Sequence, residues 1–140
     1  MYIDACTRLA VPFDETRNRL LSVQPETARR MTVPLAGLHA GKDVEVELDE
    51  PFDGNGVVSL PIRWQATWPA GVYPTFDGEL ELTRLSDGSA ELWLMGRYEP
   101  PLGALGRVLD RALLHALATD SLRQVVDAIA SRLDHPAQAA

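Results

Sequence analysis

Cysteine and lysine are almost absent from this 140-residue chain, and so are long apolar runs. Cys6 is the only cysteine, so neither an intramolecular disulfide nor a thiolate metal cluster can form. Lys42 is the only lysine among 13 basic residues, and the arginines are scattered rather than gathered into a basic patch. The longest nearly apolar run, 112–118, is far too short to cross a bilayer. The first residues also lack the basic and apolar segments of a secretory signal. We therefore expect a cytoplasmic protein with no membrane insertion.

The remaining composition is that of one folded domain with an acidic surface. Hydrophobic residues make up 46% of the chain, which is ordinary for a globular protein. A chain of 140 residues can bury an apolar core without cross-links. We predict a single domain over residues 1–140, with a flexible tail at 135–140. The formal net charge of −7 argues against nucleic acid as a partner.

The first third of the chain predicts one strand and two short helices. Apolar residues predominate from 2 to 11, and Pro12 ends that strand. Asp14 is a good N-cap for a short helix that reaches about Leu21. Pro25 can open a second helix, because proline is tolerated at the first helical position. This helix must be brief, since β-branched residues and another proline follow.

Between residues 42 and 100 the hydrophobic period changes to two. Apolar and polar residues alternate over four stretches, with turn signals at Asp53–Gly56 and Asp87–Gly88 and a loop at 69–74. Strands joined by such short connections form an antiparallel meander, not parallel units with crossover helices.

A helix of about 30 residues is predicted from the end of the meander to about Leu133. Its apolar residues recur with a 3-4-3-4 spacing that keeps them on one face, towards the sheet. His115 and Thr119 interrupt that stripe in the middle. A second apolar row in the first half predicts that this half is the more buried one. The elements together predict an α+β domain in which a long C-terminal helix packs across an antiparallel sheet. The stripe consists of Leu105, Val108, Ala112, His115, Thr119, Leu122, Val126, Ile129 and Leu133.

Two local motifs give this element order a family resemblance. Residues 96–106, Gly-Arg-Tyr-Glu-Pro-Pro-Leu-Gly-Ala-Leu-Gly, look like a Y-E-P-P-x-G-x-L-G hinge. That hinge leads from the last strand into the long helix in many bacterial members of the START-like (SRPBCC) superfamily, which includes Bet v 1-like and polyketide cyclase/dehydrase-type proteins. Residues 11–15, Val-Pro-Phe-Asp-Glu, are similar to the step before the first helix in that superfamily.

The resemblance spans residues 2–133 and implies a helix-grip fold. Such a fold has a curved antiparallel sheet of six to seven strands around a long C-terminal helix, with two short helices after the first strand. It implies a hydrophobic cavity between sheet and helix, used for lipids, sterols, polyketides or other apolar ligands, and in some members for cyclisation or dehydration. No shared catalytic motif carries over to this sequence.

Side chains on the inner face of the predicted sheet and helix are the candidates for lining such a cavity. Tyrosine and tryptophan offer a large apolar surface with one hydrogen-bonding atom each. A filled core is the other interpretation of the same residues. The candidates are Ile62, Trp64, Trp68, Tyr73, Phe76, Leu80, Leu82, Arg84, Leu94, Tyr98, Ala112, His115 and Thr119.

Two of these candidates carry a charge or a proton near neutral pH. His115 could orient a ligand or move a proton, although the sequence places no carboxylate beside it; a partly wet position at the edge of the stripe is the alternative. Arg84 shares the parity of Leu80 and Leu82. That parity would let it point inward and pair with an anionic group of a ligand, although a solvated strand end is what we expect of such an arginine.

Trp93 and Met95 fall on the outer face of the sheet by the same alternation, which is unusual for such residues. Either they form a patch for a homodimer or another partner, or the register slips at Gly96 through a bulge.

No metal or cofactor site is predicted, because His39, His115 and His135 are far apart and lack helical ligand spacing. The first hypothesis for function is binding of an apolar small molecule or lipid. The second is a polyketide cyclase/dehydratase-like enzyme that uses His115, Tyr98 or Arg84. The third is an interaction module with a filled core.

Overall fold

The structure is a computed structural model that describes residues 2–22, 29–34, 41–66, 75–99 and 111–135. Within these ranges it contains two helices and seven strands, all in one antiparallel sheet. Helix α1 (Phe13–Leu21) follows the first strand, and helix α2 (Arg111–Asp134) comes last. The strands are β1 (Tyr2–Arg8), β2 (Arg29–Pro34), β3 (Gly41–Leu48), β4 (Phe52–Gly54), β5 (Val57–Ala66), β6 (Thr75–Arg84) and β7 (Ala90–Glu99).

Helix α2 lies against the inner face of this sheet. The strand order is β1-β7-β6-β5-β3-β2, and β4 pairs with β5 beside β3. Helix α2 packs mainly against β1, yet it also contacts β2 at the opposite end of that order. The sheet must therefore curve around the helix. This α+β arrangement is the helix-grip fold that was expected. Neither described helix combines the length and hydropathy needed to cross a membrane.

Gly78 and Gly96 face each other across β6 and β7. A Cβ atom on Gly78 would lie 2.1 Å from the carbonyl oxygen of Met95. A Cβ atom on Gly96 would lie 2.5 Å from the carbonyl oxygen of Asp77. Two neighbouring glycines therefore let the two backbones approach more closely than any side chain would allow.

The hydrophobic core consists of transverse rows of cross-strand neighbours on the inner face. Each row takes one residue from each of three or four neighbouring strands, because side chains directly opposite in antiparallel strands share a face. The C-terminal half of α2 adds its own buried residues to the same cluster. Two of the rows are Leu60, Leu80, Leu94 and Ala5, and Val58, Leu82 and Leu92; the helix adds Ala118, Leu122, Val125, Val126, Ala130 and Leu133.

The stripe predicted for the long helix is right from Leu122 onward and wrong at Ala112 and His115, while Leu105 and Val108 lie outside the described residues. Leu122, Val126 and Leu133 are buried, whereas Ala112 and His115 are exposed. A strict heptad spacing drifts by about 20° per heptad around a straight helix. Over the three heptads from 112 to 133 this amounts to roughly 60°, so one end of the stripe leaves the sheet. The prediction that the first half is the more buried one stays a prediction, because Leu109, Leu113 and Leu117 of the second apolar row are not among the side chains that the structure describes.

The N-terminal elements differ from prediction in their ends. Strand β1 ends at Arg8, although Leu9 stays buried and donates its backbone N–H to Ala90 (3.0 Å). Pro12, not Asp14, is the N-cap of α1, and no side chain caps the helix. From residue 29 the chain is strand β2, so a helix opened at Pro25 has to end before it; residues 23–28 lie outside the described ranges.

Candidate functional site

Three aromatic side chains form one transverse row at one end of the inner face. Trp64, Phe76 and Tyr98 are direct cross-strand neighbours on β5, β6 and β7, and each is only 2% exposed. The Trp64 and Phe76 rings stack with centroids 4.3 Å apart and planes 20° apart. Such a pair contributes about 0.5–1.5 kcal/mol beyond its buried area, and it fixes the orientation of the indole.

The ends of the helices meet at the other end of the sheet. There the carboxylate of Asp14 lies 2.7 Å from the guanidinium of Arg84, the last residue of β6. The carboxylate of Asp134 in α2 accepts the backbone N–H groups of Ala10 and Val11 at 3.2 and 3.3 Å. The aromatic row is thus separated from these contacts by the length of β6.

The aromatic row contains two buried polar groups, the indole N–H of Trp64 and the phenol of Tyr98. Nε1 of Trp64 has no hydrogen-bond acceptor among the residues that the structure describes. A buried donor without an acceptor costs about 1–3 kcal/mol. Burial raises the pKa of Tyr98 to about 12. An ordinary tyrosine is already protonated at neutral pH, and the raised pKa extends that protonated state into the alkaline range.

A cleft of about 510 Å³ adjoins the aromatic row, and Trp64 and Phe76 belong to its wall. This volume falls within the range of small-molecule sites, roughly 300–1,000 Å³. The other lining residues are polar and alternate onto the outer face of the sheet: Glu47, Arg63, Thr75, Asp77, Arg97 and Glu99.

Charges of alternating sign cross the cleft on four neighbouring strands. Glu47, Arg63, Asp77 and Arg97 are successive cross-strand partners. Arg63 and Glu47 form an ion pair of 2.7 Å, but both side chains are more than half exposed, so the pair contributes at most about 1 kcal/mol. Arg97 has no ion-pair partner within the described part of the chain. The cleft is thus mostly polar, with exposed groups of both signs, and it meets the buried aromatic row at Trp64 and Phe76.

Most of the predicted apolar candidates do share one face. Ile62, Leu80, Leu82 and Leu94 are buried on the inner face with the aromatic row. Trp68 and Tyr73 lie outside the described residues. A role of these side chains in ligand binding stays a prediction.

The polar candidates in helix α2, His115 and Thr119, do not lie among these buried side chains. His115 is exposed, so the expectation that it faces the sheet is wrong. Thr119 is half-buried and donates its hydroxyl to the backbone carbonyl of His115 at 2.8 Å, which is an ordinary contact within a helix. Ala112 is exposed as well.

Arg84 is also exposed, at the solvated end of β6, and it does not point inward as the cavity hypothesis required. Its guanidinium pairs with Asp14 and lies 4.8 Å from the centroid of the Phe13 ring. The parity was correct, since Arg84 is on the same face as α1, but the strand ends there and the side chain reaches solvent at the rim.

Trp93 and Met95 lie on the outer face, as the alternation predicted. Strand β7 pairs with both neighbours without interruption, so there is no bulge at Gly96. Both side chains are half-buried, and Nε1 of Trp93 donates to the carboxylate of Glu91 at 2.7 Å. Among the described residues, no group of three or more acidic, histidine or cysteine side chains could hold a metal ion.

Comparison with known proteins places this chain beside two solved structures. A hypothetical protein from Helicobacter pylori is 13% identical over 90% of this chain and 88% of its own, with a TM-score of 0.49. DynU16, a protein of the dynemicin biosynthetic locus, is 17% identical over 91% of this chain, with a TM-score of 0.46. This chain spans 46% of that protein. No protein family and no curated sequence matches. Similarities this weak do not bear on function.

Proposed function

We propose that this protein binds a small, largely apolar molecule at the aromatic end of its sheet, beside Trp64, Phe76 and Tyr98. The observation that carries the proposal is the position of this row, which lies next to a cleft of about 510 Å³ that shares two of its residues. The resemblance to the START-like superfamily, whose members bind apolar ligands between sheet and helix, supports a ligand site on the inner face of the sheet.

The composition of the row supports an aromatic or other ring-containing ligand. Stacked aromatic side chains give a flat, rigid surface with little side-chain entropy to lose on binding. The neighbouring row along the strands contains Ile62, Gly78 and Gly96, where the two glycines leave the sheet without side chains.

Binding is favoured over a cyclase or dehydratase reaction by the positions of the candidate catalytic groups. His115 and Arg84 are exposed, and burial, which raises the pKa of Tyr98 to about 12, makes its phenolate harder to form than that of an ordinary tyrosine. Among the side chains described as buried there is no carboxylate or imidazole. The interaction-module hypothesis has only the half-buried Trp93 and Met95 in its favour.

The proposal can be tested by thermal denaturation with 1-tetralone, dodecanoic acid and cholesterol, alongside native mass spectrometry for a co-purifying molecule. A ligand at 100 times its Kd stabilises the folded state by about 2.7 kcal/mol, which for this chain length is a rise of roughly 8 °C in Tm. Phe76→Leu should weaken binding, whereas Phe52→Leu, at a position that is 72% exposed, should not. No rise with any probe, together with no co-purifying molecule, would refute the proposal.

A further inference from the structure

We infer that Trp64 selects ligands that carry a hydrogen-bond acceptor, such as a ketone carbonyl, and that its indole N–H donates to that atom. This inference rests on the proposed binding function and adds the chemistry that the site recognises.

Trp64 is a buried hydrogen-bond donor that lacks an acceptor among the described residues. The side chain is 2% exposed, and its Nε1 has no acceptor among the described residues. Buried indole N–H groups normally find a partner. By contrast, the half-buried Trp93 on the outer face has one, the carboxylate of Glu91 at 2.7 Å.

The surroundings of Trp64 explain why its described neighbours supply no acceptor. Its cross-strand neighbours on the same face are Val46 and Phe76, and Ile62 lies two residues before it on β5. All three side chains are apolar and buried. The strand carbonyls nearby are engaged in the sheet ladder. No described residue offers Nε1 an acceptor, and the carbonyl oxygen of a bound ligand can take that place.

The stacked Phe76 ring keeps the indole from turning away. With the centroids 4.3 Å apart and the planes within 20°, rotation of the Trp64 ring would lose the stacking. The N–H direction is thereby set before a ligand arrives, and a preorganised donor loses little freedom on binding.

A matched pair of probes isolates this hydrogen bond: 1-tetralone has a ketone, and tetralin has the same two rings without it. A net hydrogen bond predicts that the wild-type protein binds 1-tetralone about fivefold more tightly than tetralin, within roughly twofold to tenfold. Trp64→Phe keeps an aromatic ring but removes the N–H, so the two probes should bind equally. Trp93→Phe is the control and should preserve the preference.

Calorimetric titration of the two probes separates this inference from the proposed function. Equal affinity for both probes in the wild-type protein would overturn the inference, because a water would then already satisfy the indole, and would leave the binding function intact. Binding of neither probe would overturn both.

The wild-type protein also provides a test that does not depend on the folding of Trp64→Phe. The chain has three tryptophans, so the ¹⁵N–¹H spectrum contains three indole signals, which Trp93→Phe and Trp68→Phe assign by elimination. 1-Tetralone should move the Trp64 indole proton downfield, and tetralin should not. An unmoved signal at saturating 1-tetralone would refute the hydrogen bond.

Discussion

Replacement of Gly78 by alanine should destabilise the protein through a clash with the backbone of the neighbouring strand. The added methyl group would lie 2.1 Å from the carbonyl oxygen of Met95 and 2.8 Å from Cα of Gly96. Neither atom can move without shifting β7, which is paired on both sides. The third close contact, at 2.8 Å, is Cζ of Phe76. The substitution therefore disturbs both the pairing of β6 with β7 and the stacked ring next to it.

The expected loss follows from two opposing effects. Extra methyl groups in a well-packed interior usually cost about 1–3 kcal/mol, and contact with backbone on a central strand belongs at the upper end, about 3 kcal/mol. A Gly→Ala change also removes freedom from the unfolded chain, which stabilises the folded state by about 0.4–1 kcal/mol. The net loss in free energy of unfolding should be about 2 kcal/mol, which lowers Tm by roughly 6 °C.

Urea unfolding followed by tryptophan fluorescence measures this loss, and Gly54→Ala is its control. Gly54 also lies in a strand, but its added methyl group would touch only the Phe52 side chain, at 3.4 and 3.6 Å. Gly54→Ala should therefore change the stability by less than about 1 kcal/mol. If Gly78→Ala proved as stable as Gly54→Ala, the close approach of β6 and β7 would not exist as described.

Two further predictions concern the opposite end of the sheet and the row itself. Asp134→Ala should destabilise the protein by about 1–2 kcal/mol in the same urea assay, because it removes the acceptor for the backbone N–H groups of Ala10 and Val11. Asp134→Asn keeps one acceptor oxygen and should lose less stability. Equal losses for the two variants would contradict this account. For Tyr98 the raised pKa makes the stability depend on alkaline pH, since above pH 10 the unfolded chain releases the phenol proton while the folded protein retains it up to about pH 12. The contribution is fully present below pH 10 and falls by about 1.4 kcal/mol per pH unit above it. Tyr98→Phe should therefore flatten the stability profile between pH 10 and 12, and an unchanged slope would refute the shift.

The face of the sheet on which each strand residue lies was the feature of the fold that the sequence predicted most reliably. Alternation placed Trp64 and Phe76 inside and Trp93 and Met95 outside, and the structure agrees. This works because side chains must alternate between faces along a strand, whatever the strand pairs with. The turn signals at Asp53–Gly56 and at Asp87–Gly88 likewise need only local conformations, and positive φ angles occur in both (Asn55, Gly56 and Gly88).

The burial of the helix was less predictable, because the direction in which its apolar stripe points turns by about 20° with each heptad. A seven-residue repeat implies 3.5 residues per turn, whereas an α-helix has 3.6 residues per turn. The mismatch is small over one heptad but large over three. Leu133 is 7% exposed and Leu122 fully buried, whereas His115 on the same predicted stripe is exposed. The apolar stripe alone could not show which end would face the sheet.

The candidate site itself depends on the register of the strands. Alternation along a strand predicts the face on which a residue lies, but it does not predict the cross-strand partner of that residue, and the helical period does not predict it either. Trp64, Phe76 and Tyr98 are separated along the chain by 12 and 22 residues, and only the pairing of β5, β6 and β7 puts them in one row. The same pairing aligns Arg63 with Asp77 on the outer face. A shift of one strand by two residues would keep every side chain on its predicted face, yet it would separate the indole from the ring that orients it. The chemistry proposed for this protein therefore depends on the glycine pair beside the row as much as on the aromatic side chains, because Gly78 and Gly96 allow β6 and β7 to approach in this register and no other residue type would.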